Sequence, residues 1–338
     1  MALKNNGERE VIIVGTDMKD DPTIRQYVDV LYRVPAVNDP HYVDVLLDIC
    51  KIEKVDIVMP GISAELPLLE ARRKEFEAIG TKVSVTDREG LLIANDKIML
   101  YEYMKEHGFD VPMFERVKTI DELVSACERL GYPGKAVCIK MKDGSGSRGV
   151  RIINPKQSRY DIFVGEKPNS LYTTLDDMVS MFQEAGKMPE LMVMEFLPGM
   201  EYSVDLLADH GKIEYMIGRE SNVVLASIPQ EATLAKNDEA YKIAEDIVGS
   251  LKLDGNLDLD FKFDEQGHPK LMEINPRTAA TMSIFAAGGV NLLYLRVKQL
   301  LGEPLPHIDV QYGVKMKRRY AEFFCDKNGR EIRLNNNK

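Results

Sequence analysis

A chain of 338 residues, 44% apolar and 29% charged, is long enough for two or three domains with cores of their own, so disorder is not its default state. Its net charge of −10 excludes an extended nucleic-acid surface, which needs a basic stripe to displace counterions, and leaves room only for a local basic pocket of nucleotide size. Cys50, Cys127, Cys138 and Cys325 stand in no CxxC or Cys/His spacing, MALKNNGERE lacks an apolar signal-peptide core, and no apolar run nears the ~20 residues that span a bilayer. A soluble, cytoplasmic protein without zinc, disulfides, nucleic-acid partner or membrane contact is therefore expected.

Val11 to Val14 reads as a buried parallel strand ending in the turn Gly15-Thr16-Asp17, and Leu31 to Val34 as a second strand. His41 to Lys51 has helical spacing, Val55 to Met59 is a strand closed by Pro60-Gly61, Glu65 to Ile79 a helix and Lys82 to Val85 a strand. Strands alternating with helices imply a parallel sheet, whose ligands bind beyond the carboxyl ends of the strands. Asp17, Ser63 and Glu65 are accordingly candidates for substrate contact, with loop capping as the plain alternative. The chain enters almost directly at a strand, without the strand and glycine turn that usually open such a domain, so either the sheet is small or its natural start is lost.

Thr86-Asp87-Arg88-Glu89 has the order of a capping box, and Asn95-Asp96 opens a helix that carries Lys97 at its head and stops at Gly108. Asp121 to Leu130 is a helix and Val137 to Met141 a strand. The strand leads into Asp143-Gly144-Ser145-Gly146-Ser147-Arg148-Gly149, with Lys140 and Lys142 before the glycines. Such a loop either cradles phosphate with backbone N–H groups and hydroxyls or merely connects two strands, and it lacks the GxxxxGK[ST] order of a Walker loop. Asn154 to Thr174 is polar and reads as an inserted loop.

Leu191 to Phe196 is a strand, Glu201 to Leu207 alternates Tyr202, Val204 and Leu206 against Glu201, Ser203 and Asp205, and Lys212 to Gly218 delivers Arg219. Asp238 to Leu251 and Asn291 to Leu301 are helices, and Asn328-Gly329 marks a hairpin. The richest stretch is LDLDFKFDEQGHPKLMEINPR, Leu257 to Arg277. Its two runs pair as a hairpin if Asp264-Glu265-Gln266-Gly267 turns, placing Asp258, Asp260, Glu273 and Asn275 on one face and Met272 and Ile274 with the apolar residues on the other. Oxygen ligands so gathered suit a hard cation such as Mg²⁺, with Arg277 beside it for phosphate, although acidic alternation alone also describes a solvated face.

Lys97 at a helix head, Lys140 before GSGSRGV, then MEFLPGMEYSVD and MEINPR occur in an order that resembles the ATP-grasp superfamily, and within it single-copy proteins related to the large subunit of carbamoyl-phosphate synthase. The resemblance spans about residues 8 to 320 and implies an ATP-grasp fold, mixed α/β and α+β, preceded by a truncated Rossmann-like α/β domain. It implies three regions: 1–111 as the α/β domain lacking its first strand, 112–190 as a small central subdomain with the Gly/Ser lid, and 191–338 as the subdomain with the metal.

By the same resemblance, Lys97, Lys140 and the lid residues Gly144, Ser145, Gly146 and Ser147 hold the ATP phosphates. Glu195, Phe196 and Leu197 take the adenine edge and Glu201 the ribose. Asp260, Glu273 and Asn275 bind Mg²⁺ or Mn²⁺, while Arg277, Arg219 and Lys140 stabilise the reacting phosphoryl group. Asp258 has no motif role. The implied reaction is ligation through an acyl phosphate made from a small carboxylate and attacked by an amine or similar nucleophile, with the stretch Thr278 to Ser283 lining the acceptor side. The alternatives are phosphorylation of bicarbonate or carbamate, and a nucleotide-binding subunit without catalysis. A second copy or a partner chain is expected to cover the amino-terminal domain. Many relatives carry glutamine where Asp260 stands, and the usual proline after the strand lysine is Met141.

Overall fold

The computed structural model describes residues 2–19, 21–142, 148–225, 228–327 and 330–332, with Pro22 described by its backbone alone. Gly144, Ser145, Gly146 and Ser147 of the glycine-serine loop and the Asn328-Gly329 turn lie outside the described residues. In the first region two short parallel pairs form, β1 (Val14–Asp17) with β2 (Val30–Arg33) and β3 (Ile57–Val58) with β4 (Lys82–Val83). Tyr42, Leu46 and Cys50 of helix Tyr42–Glu53, with Leu66, Leu69 and Phe76, build one core beneath both pairs.

The alternation of strand and helix is thus as read, but the boundaries differ. Gly15, Thr16 and Asp17 are strand residues because they pair with Leu31, Tyr32 and Arg33, whereas Ile12 is exposed. The expected helix from Glu65 to Ile79 is broken at Arg72, whose guanidinium bonds Asp44 at 2.5 Å and Glu75 at 2.7 and 2.6 Å. Helix Arg88–Ala94 starts one residue later than the expected box implies, with Asp87 at the N-cap: the Thr86 hydroxyl accepts from the Asp254 N–H at 2.9 Å, and the Asp87 carboxylate, which makes no cap bond, turns to Arg73 at 2.8 Å.

Helix Lys97–Glu106 joins the three regions because it has two buried faces. Asp96 caps it by accepting from the N–H groups of Ile98 and Met99 at 3.0 and 3.1 Å. Ile98 and Tyr101, three apart and so neighbours on the helix surface, pack with Cys138, Met192 and Met194. Leu100 and Met104, four apart, instead enter the largest core with Val204, Leu259 and Ile247. Lys97 is thereby set at the junction.

The central sheet has the order β5-β9-β6-β7-β8, from β5 (Phe114–Val117), β6 (Val137–Met141), β7 (Arg151–Ile153), β8 (Tyr172–Thr173) and β9 (Leu191–Glu195). Since β9 lies between β5 and β6, the 190/191 boundary cuts through this sheet, and the chain leaves it at Phe196. The stretch Asn154–Thr174 is not a plain loop. It carries helix Arg159–Gly165, opened by reciprocal bonds between Ser158 and Asp161, and then β8.

The third sheet comprises β10 (Glu201–Asp209), β11 (Lys212–Leu225), β12 (Ile228–Leu234), β13 (Gly255–Phe263), β14 (Pro269–Asn275) and β15 (Lys315–Lys317), in the order β14-β13-β10-β11-β12-β15. Helix Asp238–Ser250 covers one part of it through Ala240, Ala244, Ile247 and Val248, and helix Leu292–Leu301 another through Leu292 and Leu295. No helix among the described residues is long and apolar enough to cross a membrane.

Candidate functional site

Three antiparallel strands build the polar face. Asp258, Asp260 and Lys262 of β13 stand opposite Asp205, Ser203 and Glu201 of β10, and opposite Asn275, Glu273 and Lys270 of β14. Directly opposed residues share a face, so these side chains form rungs across the strands, while Leu257, Leu259, Phe261, Leu271 and Ile274 enter the core. Asp258, Asp260, Glu273 and Asn275 therefore come together as read. Met272 does not join Ile274: a bulge between Asp260 and Phe261 leaves it unpaired, and it packs with Ile98, Tyr101, Met192 and Met194 on the opposite side.

At one end of the face Arg219, only 5% exposed, is enclosed by acids. Its Nε donates to Asp205 at 3.3 Å, Nη2 donates to Asp258 at 3.4 Å and lies 4.0 Å from Asp260, and Nη1 donates to Ser221 at 3.2 Å. Asp205 and Asp258 are each pushed up to about 7, chiefly by burial, with Arg219 opposing the shift. Asp260 is held well above the ordinary carboxylate range by burial and by the charges of Asp258 and Glu273, although Ser203 donates to it at 2.6 Å. Sequence reasoning missed Asp205. Its alternation with Val204 and Leu206 was the available signal, but nothing in the sequence said that β10 would lie beside β13.

Those raised values have a pH consequence. A carboxyl whose pKa is higher folded than unfolded adds full stability below its unfolded value, and that contribution is lost as pH rises through the folded one. Denaturant unfolding should therefore show stability from Asp205 and Asp258 declining between pH 3.8 and about 7, with a shallower decline in Asp205→Asn. Glu273 runs the other way. Burial, the largest single influence, raises it, but Lys97, Lys140 and Asn275 together outweigh burial and leave it lowered, so its contribution is lost only as pH falls below the ordinary 4.5.

At the middle of the face the cations of the other regions arrive. Lys97 Nζ lies 2.9 Å from Glu273 Oε2. Lys140, buried on the inner strand β6 on the same side as Cys138, is depressed first by burial and then by Lys97 and Lys262, with Cys138 and Glu273 opposing. The Cys138 thiol is pushed up by burial and so stays protonated. Asn275 Nδ2 donates to Asp260 at 3.2 Å, and its Oδ1 accepts from Arg277 Nη2 at 3.0 Å.

This donor set fits a hard divalent cation: Asp260 and Glu273 face each other across adjacent strands with the Asn275 amide on the next rung. A cation there would displace the proton that burial favours on Asp260. It would also draw Glu273 from Lys97 and turn the Asn275 oxygen inward.

Glu195 ends β9 and accepts from the Met113 N–H at 3.2 Å; Phe196 follows it, half-buried, and Leu197 is buried. Glu201 opens β10 at the neighbouring corner. On the amino-terminal side the structure is less generous to expectation. Glu65 is occupied by Tyr42 and by the N–H groups of Gly61 and Ile62, which makes it a brace for its own loop. Asp17 accepts from the Lys19 N–H at 2.7 Å. A small cavity of about 10 Å³ does join this region to the hairpin, lined by Met59, Pro60, Ser84, Asn256, Arg277 and Thr278 among others, without Ser63 or Glu65.

The family model described as "ATP-grasp in the biosynthetic pathway with Ter operon" matches residues 187–320, and that described as "PylC-like, N-terminal domain" matches residues 2–84. The arginine-specific large chain of carbamoyl phosphate synthase from Halalkalibacterium halodurans is 23% identical over 92% of this chain, which spans only 28% of that protein. The formate-dependent phosphoribosylglycinamide formyltransferase of Wolinella succinogenes is 26% identical over 79% of this chain and 65% of its own. Among solved structures, the N5-carboxyaminoimidazole synthetase of Staphylococcus aureus complexed with ADP superimposes with a TM-score of 0.66 at 17% identity, covering 92% of this chain and 76% of that one. The biotin carboxylase domain of the Hydrogenobacter thermophilus 2-oxoglutarate carboxylase, complexed with MgADP, ADP and bicarbonate, gives 0.66 at 16%, covering 93% and 68%.

Proposed function

We propose that this chain, whose residues 187–320 match an ATP-grasp family model, binds ATP between its central and carboxyl-terminal sheets and uses it to activate a small carboxylate for attack by an amine. The observation that carries the proposal is the Asp260–Glu273 rung, flanked by Lys97 and Lys140 on one side and by Arg219 and Arg277 on the other. A carboxylate oxygen attacks the γ-phosphorus and ADP leaves, giving an acyl phosphate. The amine nitrogen then attacks the carbonyl carbon, phosphate leaves, and the nitrogen gives up a proton as the amide forms.

Lys97 and Lys140 hold the phosphates, and Arg277 and Arg219 meet the charge that develops on the phosphoryl group and the leaving phosphate. Glu195, Phe196 and Leu197 take the adenine edge and Glu201 the ribose. Asp260, Glu273 and Asn275 would hold Mg²⁺ or Mn²⁺, which supplies charge neutralisation between the phosphates. No side chain need act as a nucleophile, because Cys138 is protonated and buried and Ser203 is engaged by Asp260.

A second reading, phosphorylation of bicarbonate or carbamate, is favoured by the match to carbamoyl phosphate synthase over nearly the whole of this chain. Hydroxylamine separates the two. Incubation with ATP, Mg²⁺, hydroxylamine and a panel of carboxylates should give ADP and a hydroxamate with one carboxylate class. ADP formed with bicarbonate alone favours the second reading, and ADP formation indifferent to every carboxylate and to bicarbonate contradicts both.

A further inference from the structure

The rung beyond the metal ligands carries a cation that the proposed chemistry leaves unused. Lys262 follows Asp258 and Asp260 at the period of two, so it lies on the same face of β13, with Glu201 directly opposite on β10. Its side chain is 26% exposed, and its Nζ lies 4.0 Å from Glu201 Oε1 and 5.6 Å from the centre of the Phe196 ring. Lys270, opposite it on the other flank, is already matched by Asp110 and by Asp264 at 3.6 Å. Among the described residues Lys262 meets a carboxylate at the longer distance to Glu201 and lies over the Phe196 ring, and its charge also reaches Lys140 and Cys138 on the facing sheet. It thus stands between the corner assigned to the base, at Phe196, and the residue assigned to the ribose, at Glu201.

We propose that Lys262 is a specificity-determining residue of the nucleotide site, donating a hydrogen bond to a ribose hydroxyl oxygen while Glu201 accepts from the sugar hydroxyls, so that the pair selects ribonucleotides. The inference rests on the nucleotide reading of this cleft and adds to it a residue outside the phosphate and metal contacts. The chemistry is complementary. A carboxylate can only accept and an ammonium can only donate, whereas a vicinal diol does both. Each charged partner keeps the other poised, and the lysine stem offers apolar surface to the base.

The test is binding of ATP and of 2′,3′-dideoxy-ATP, at saturating Mg²⁺, to the full chain and to its Lys262→Met and Lys262→Arg variants, with inorganic tripolyphosphate as the sugarless probe. Methionine keeps the stem and removes the charge. The wild type should prefer ATP to the dideoxy analogue by about tenfold or more, the worth of a charge-assisted hydrogen bond. Lys262→Met should lose most of that preference and keep its tripolyphosphate affinity, and Lys262→Arg should retain part of the preference. An unchanged ATP to dideoxy-ATP ratio in Lys262→Met overturns the inference and leaves the nucleotide reading standing, as does an equal loss of ATP and tripolyphosphate affinity. Failure of the wild type to bind ATP at all overturns both.

Discussion

Arg219→Met is expected to destabilise the folded protein by about 3–5 kcal/mol, the usual result of removing one partner from a buried ion cluster. The guanidinium is the charge shared by Asp205, Asp258 and Asp260, and Asp205 and Asp258 are nearly inaccessible to water. Methionine approximates the volume and leaves those carboxylates to repel one another. They respond by retaining protons, so the loss should be larger at pH 8 than at pH 5. Denaturant unfolding at the two pH values measures this. Equal stability of the two proteins at pH 8 would mean that the acids are solvated in solution and that the cluster is not a closed one. Activity should also vanish, but stability is the sharper readout because it does not depend on the substrate.

Glu273→Gln should lower carboxylate-dependent ATP turnover by about a thousandfold while changing stability little, consistent with the weight of preorganised charge in such sites. Stability is preserved because two effects oppose each other. Lys97 loses a partner at 2.9 Å, and Asp260 loses a charge that holds its proton on. Turnover has no such offset, since a neutral amide keeps the oxygen and removes the charge that the cation needs. A Mg²⁺ titration should show the requirement moved to higher concentration, and wild-type turnover at limiting Mg²⁺ would sink the metal assignment.

The sequence by itself determined what is local. The two-residue period from Leu257 to Asn275 was enough to put Asp258, Asp260, Glu273 and Asn275 on one face, because a strand allows its side chains only two directions and the turn between the runs was marked. Asp96 as a cap and Lys97 as the first residue of its helix were legible for the same reason: hydrogen bonding within a few residues decides them. The motif order from Lys97 to Arg277 carried the resemblance to the ATP-grasp superfamily, a model of which matches residues 187–320.

Only the tertiary structure decided which local pieces meet. A bulge of one residue sent Met272 to the opposite side from Ile274, and nothing in the alternation announces where an extra residue is inserted. The segment Leu191–Glu195 is equally good strand in either sheet, and its partners Phe114–Val117 and Val137–Met141 alone place it in the central one. Arg219 could be seen as a strand residue, but its acids come from β10 and β13, one nearby in sequence and the other distant. The raised pKa values of Asp205 and Asp258, the pairing of Lys97 with Glu273 and the position of Lys262 beside Phe196 all follow from burial and from charges brought together across the chain. Electrostatic energy depends on distances between residues remote in sequence, and those distances exist only once the sheets have closed on one another.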